Sequence, residues 1–103
     1  MRYIMKIEIP IDKGNSRIGD PKFGEKMNQL LTEVKAEAAY FTSVNGQRGA
    51  YIVVNMTDAS QIPAMAEPFF LWFNANVYFV PVMSMEDLQK AGPAVAAAVQ
   101  KWG

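Results

Sequence analysis

Apolar and polar residues alternate from Arg2 to Ile9, with Tyr3, Met5, Ile7 and Ile9 on one side and Ile4, Lys6 and Glu8 on the other. A period of two predicts a strand over residues 2 to 9, and Pro10 ends it. From Phe23 the period changes: Phe23, Met27, Leu30, Leu31 and Val34 recur at helical spacing, while Lys22, Glu25, Lys26, Glu33 and Lys35 lie largely off that stripe. This predicts an amphipathic helix, with Asp20-Pro21 as its N-cap and first helical residue. The intervening stretch, Ile11 to Gly19, holds Lys13, Gly14, Asn15, Ser16 and Arg17 and reads as a polar loop.

Two further strand-like runs, Tyr40 to Val44 and Ala50 to Met56, flank Asn45-Gly46, a dipeptide that readily adopts the positive φ angles of a tight hairpin turn. Asp58 or Ser60 then predicts the cap of a second helix, in which Pro63 is early enough to be tolerated. Pro68 is an interior proline and should kink or restart that helix. Phe69 to Phe73 is too continuous for one amphipathic face and predicts a segment packed between two apolar surfaces. Val77 to Met83 predicts the fourth strand, with Pro81 marking an edge or an end. Ser84-Met85-Glu86-Asp87 resembles a capping box with Asp in place of Glu or Gln. The helix it opens carries Leu88, Ala91, Val95, Val99 and Trp102 at helical spacing and should break or bend at Gly92-Pro93.

The element order is therefore β-α-β-β-α-β-α in one domain spanning residues 1–103. Two split β-α-β units joined by a hairpin predict an α+β fold: a ferredoxin-like β-α-β-β-α-β with an extra C-terminal helix, its four-stranded antiparallel sheet carrying both helices on one face. Ile52, Val54 and Met56 then face the helices. Tyr51, Val53 and Asn55 face the other way, with Ile4, Lys6 and Glu8, Tyr40, Thr42 and Val44, and Tyr78, Val80 and Val82. That second face is too apolar for water, and only one broken helix remains to cover it. A second copy of the sheet closing about a two-fold axis would form a homodimer, a dimeric α/β barrel; the competing arrangement folds the last helix across the sheet of a monomer.

Composition narrows the chemistry. Ten basic and ten acidic residues cancel and lie scattered, so neither nucleic acid nor a membrane surface is an expected partner. The chain has no Cys and no His, which removes thiolate and imidazole catalysis and the usual zinc and haem ligands. No metal and no cofactor is expected. The N-terminal segment lacks the apolar core of a signal peptide and no stretch approaches the roughly 20 apolar residues of a membrane span, so a cytoplasmic location is expected.

The element order, the run Glu67-Pro68-Phe69-Phe70 and the closing Pro81-Val82-Met83 resemble the dimeric α/β-barrel (ferredoxin-like) superfamily. The pattern is most similar to small bacterial YCII-like and muconolactone isomerase-like proteins, and the superfamily also includes antibiotic-biosynthesis monooxygenase-like members. The resemblance implies the barrel dimer and a pocket for a small molecule. It assigns no catalytic residue: the histidines of YCII-like proteins have no counterpart, and Glu67-Pro68-Phe69 only echoes the Asp-Gly-Pro-Phe signature of a related group.

The candidate ligand-binding residues are Lys6, Glu8, Tyr40, Tyr51, Asn55 and Trp72. Lys6 and Glu8, two apart on one strand face, could orient a polar ligand or act as an acid–base pair, although such charges more often pair with each other or face solvent. Tyr40, Tyr51 and Tyr78 present hydroxyls on apolar bodies, as pockets for small aromatic molecules do, while also being ordinary strand residues. Arg48 could grip a carboxylate bidentately, although loop arginines are usually solvated. The leading expectation is a homodimer that binds a small apolar or aromatic molecule between sheet and helices. The alternatives are a cofactor-independent enzyme of the monooxygenase or isomerase kind, using Lys6, Glu8, Tyr40, Tyr51 or Asn55, and a structural subunit whose open face docks on another protein.

Overall fold

A computed structural model describes residues 1–103. Strand β1 spans Arg2–Glu8, and helices α1 (Ile11–Ile18) and α2 (Phe23–Glu33) follow it. The hairpin of β2 (Ala38–Val44) and β3 (Gln47–Asn55) leads through a 3-10 turn, Ala59–Gln61, into α3 (Ile62–Phe73) and β4 (Asn76–Pro81). Two short helices, α4 (Met85–Lys90) and α5 (Gly92–Trp102), close the chain. The strands form one antiparallel sheet in the order β2-β3-β1-β4. This is α+β architecture with a ferredoxin-like strand order.

The hairpin forms as its sequence dictates. Asn45 and Gly46 have φ angles of 52° and 76°, the two consecutive left-handed residues that a two-residue type I′ turn needs. That turn sets the register Val44↔Gln47 and Tyr40↔Tyr51, so Tyr40 and Tyr51 share a face and Phe41 and Ala50 share the other. Gly49 admits no larger residue, because a Cβ there would run into the Ile7 carbonyl oxygen and the Val44 side chain.

The core lies between the sheet and α2 and α3. Met5, Ile7, Ile52 and Val54 from the sheet pack with Leu30, Val34, Phe69 and Phe73 from the helices. Burying such side chains contributes roughly 1.5–3 kcal/mol each relative to exposure. The predicted stripe on α2 is the one that turns inward.

Four local expectations change. Ile11–Ile18 is a helix rather than a polar loop, held by contacts its neighbours supply: Arg17 Nε donates to the Trp72 carbonyl at 2.6 Å, and the guanidinium lies 4.8 Å from the Trp72 ring centroid. Asp12 in its first turn and Arg17 in its last also suit the helix dipole. The α3 helix runs through Pro68 without restarting, since Met65, Ala66, Phe69 and Phe73 are buried and anchor it on both sides of the proline. Nor is α3 packed between two apolar surfaces. Its Phe69–Phe73 face is buried, while Leu71 is 73% exposed and Phe70 is 41% exposed. Asp20 likewise does not cap α2 directly; its Oδ1 accepts from the Lys22 amide in a turn one step earlier.

Two of the three predicted caps form. Ser84 Oγ accepts from the Asp87 amide and Asp87 Oδ2 from the Ser84 amide, both at 3.1 Å. Asp58 Oδ1 accepts from the Ser60 amide at 2.8 Å, and Gln61 Oε1 accepts from the Asp58 amide at 3.1 Å. These bonds favour the charged carboxylates, so Asp58, bonded to Ser60, and Asp87, bonded to Ser84, both hold their protons less tightly than an ordinary aspartate. The sign follows: the caps stabilise fully above the unfolded value of about 3.9 and are lost as pH falls through the lower folded values. In a carboxyl-carbon NMR titration, Asp58 and Asp87 are expected to titrate below that value; midpoints at or above it would remove both caps from the account.

The C-terminal helices do not fold over the sheet. From Met83 to Gly103 every residue is exposed except the half-buried Ala91, and α4 and α5 project as an arm. The radius of gyration is 17.2 Å and the long axis 58 Å, against a radius of about 13 Å for a compact chain of this length. Gly92-Pro93 divides the arm as the sequence predicts. Its Leu88, Val95, Val99 and Trp102 are 47%, 53%, 63% and 81% exposed. No helix is long and apolar enough to cross a membrane.

Candidate functional site

Pleating divides the candidate residues between two places. Pairing of Lys6 with Tyr51 and Tyr78, and of Tyr51 with Tyr40, places these side chains on the face away from the helices. Lys6 Nζ lies 5.2 Å from the Tyr78 ring centroid and 3.5 Å from Glu8 Oε1. Glu8 is only 8% exposed. Asn45 Nδ2 donates to its Oε1 at 2.6 Å and Asn76 Nδ2 to its Oε2 at 3.5 Å, so this carboxylate ties the hairpin tip to the start of β4. Lys6 and Glu8 are thus already committed to partners within the chain.

Around them the face is apolar and bare: Tyr40 is 65% exposed, Tyr78 46%, Val80 45% and Tyr51 38%. Asn55 sits at the end of β3, where its Oδ1 accepts from the Met1 ammonium at 2.7 Å. Trp72 is elsewhere altogether. It belongs to α3 on the helix side of the sheet, stacked on Phe23 with ring centroids 6.1 Å apart.

A concave feature of the fold lies on that helix side, beneath α1 and α2. A cavity of about 480 Å³ is floored by the buried Ile7, Ala50, Phe69 and Phe73 and walled by Phe23, Met27 and Leu31. Its volume falls within the roughly 300–1,000 Å³ typical of small-molecule sites. Exposed Ile18, Phe41 and Arg48 border its mouth. None of Lys6, Glu8, Tyr40, Tyr51, Asn55 or Trp72 lines it.

Two glycines lie along the cavity. Gly24, at the cavity edge on α2, would direct a Cβ into a region with no atom within 4 Å, and Gly14 on α1 lies against the Arg48 side chain. Arg48 itself is not in the turn but is the second residue of β3. It brings the only titratable side chain to the lining. Sequence reasoning placed a pocket between sheet and helices but put none of its six candidate residues in this lining; the signals that point to the lining are the glycines inside helical segments and the alternation that turns Phe41 and Ala50 toward the helices.

Compared with models of known protein families and with curated proteins, the chain matches none.

Proposed function

We propose that the chain is a binding module that takes a small apolar or aromatic molecule into the helix-side cavity and works as a homodimer of the dimeric α/β-barrel kind. The observation that carries the binding role is the cavity itself, about 480 Å³ with an aromatic and aliphatic lining. Desolvating an apolar ligand against such walls supplies affinity at roughly 25 cal/mol per Å² buried, before the cost of immobilising it. Binding is favoured over catalysis by the same lining. Its one charged side chain is the Arg48 guanidinium, which offers N–H donors and no acceptor to serve as a general base.

Dimerisation is supported by two apolar surfaces that the single chain leaves uncovered, the open sheet face and the stripe along the projecting arm. A two-fold axis lets two copies cover the sheet faces together, and each arm can reach the partner's body.

The cavity is tested by filling it. Titration calorimetry with 1-naphthol is expected to show saturable binding to the native chain and none to Gly24→Leu or Ala50→Leu, each of which enlarges a residue of the lining. Unchanged binding in both folded variants would place the ligand elsewhere.

A further inference from the structure

Resting on that reading of the cavity, we infer that its ligand is an anion: a small aromatic carboxylate whose ring enters the apolar space and whose carboxylate is held by Arg48 at the mouth. Arg48 is the only charged side chain of the lining and it has no acidic partner. The ion pairs of the structure join Arg2 to Glu37 and Lys6 to Glu8. The guanidinium is nonetheless fixed. Its Nη1 donates to Asn15 Oδ1 at 2.8 Å, a neutral acceptor that orients the group without neutralising it. That bond uses one of five N–H donors, and the rest of the fork is free for two carboxylate oxygens.

The backbone of α1 is adapted to this placement. Gly14 is buried, and a Cβ on it would sit 3.1 Å from Arg48 Nη1 and 3.5 Å from Cδ. A glycine in mid-helix is destabilising relative to alanine, and here it lets the arginine stem lie against α1. An arginine that served only solubility would need neither the gap nor the Asn15 tether.

The test compares 1-naphthoate with its neutral isostere 1-naphthamide by titration calorimetry on the full chain. The acid is expected to bind roughly ten- to a hundredfold more tightly than the amide, the range of one charge-assisted hydrogen-bond pair. Arg48→Gln should erase that preference by weakening the acid far more than the amide. Arg48→Lys should restore only part of it, and Gly14→Ala should weaken the acid selectively by displacing the guanidinium. Equal affinity for acid and amide, with both abolished by Gly24→Leu, would overturn the anionic ligand and leave the apolar site standing. An acid preference that survives Arg48→Gln would overturn the role of Arg48, and failure of both probes to bind would overturn the site and this inference together.

Discussion

Phe69→Ala is expected to lower the unfolding free energy by about 3–5 kcal/mol, measured by urea denaturation with the slope unchanged. Phe69 is 1% exposed and stacks on Phe73 at a centroid distance of 6.4 Å. It also floors the cavity. Truncation therefore enlarges an existing space instead of opening one that neighbours can collapse into, and loss of packing adds to the lost transfer energy. A domain of this size has a total stability of only about 5–15 kcal/mol, so the variant should lie close to the unfolding threshold. A loss below about 1 kcal/mol would mean that the ring packs far less tightly than its burial indicates.

Val53→Glu is expected to dissociate the proposed homodimer while leaving the subunit folded. Val53 is half-buried on the open face, paired with Ile4 and Ala38, so within one subunit a carboxylate there still reaches water. In a closed two-fold interface it would be dry and unpaired, at a cost of roughly 2–5 kcal/mol for each copy. The symmetry supplies two copies. Sedimentation equilibrium should give twice the chain mass of 11.5 kDa for the native protein and the single mass for the variant, with the same far-ultraviolet circular dichroism. A native protein that sediments as one chain at every concentration would remove the dimer.

The fold was legible wherever local chemistry and burial agree. Asn45-Gly46 supplies its own turn, Ser84 and Asp87 their own cap, and the alternation of β1 assigns Met5 and Ile7 to the core without reference to any other element. Helix α1 was not legible, because Lys13-Gly14-Asn15-Ser16 has weak helix propensity and the helix is held by Arg17 reaching a carbonyl 55 residues away. The course of α3 through Pro68 has the same origin: tertiary packing of Phe69 and Phe73 outweighs one missing backbone bond.

The site was legible only in part. Pleat parity correctly grouped Lys6, Glu8, Tyr40 and Tyr51 on one face. It carries no information about the distance between a sheet and the helices above it, and that distance creates the cavity. Arg48 looked like an ordinary solvated arginine because Asn15, its tether, and Gly14, its resting place, are remote in sequence.

Methyl-resolved NMR during titration with 1-naphthol locates the ligand on one side of the sheet or the other. The largest shifts are expected at the methyl groups of Ile7, Ile18, Met27 and Leu31, which line the cavity, with Ile4, Val53 and Val80 on the open face unmoved. Shifts concentrated on Ile4, Val53 and Val80, or none at saturating ligand, would contradict a helix-side binding site.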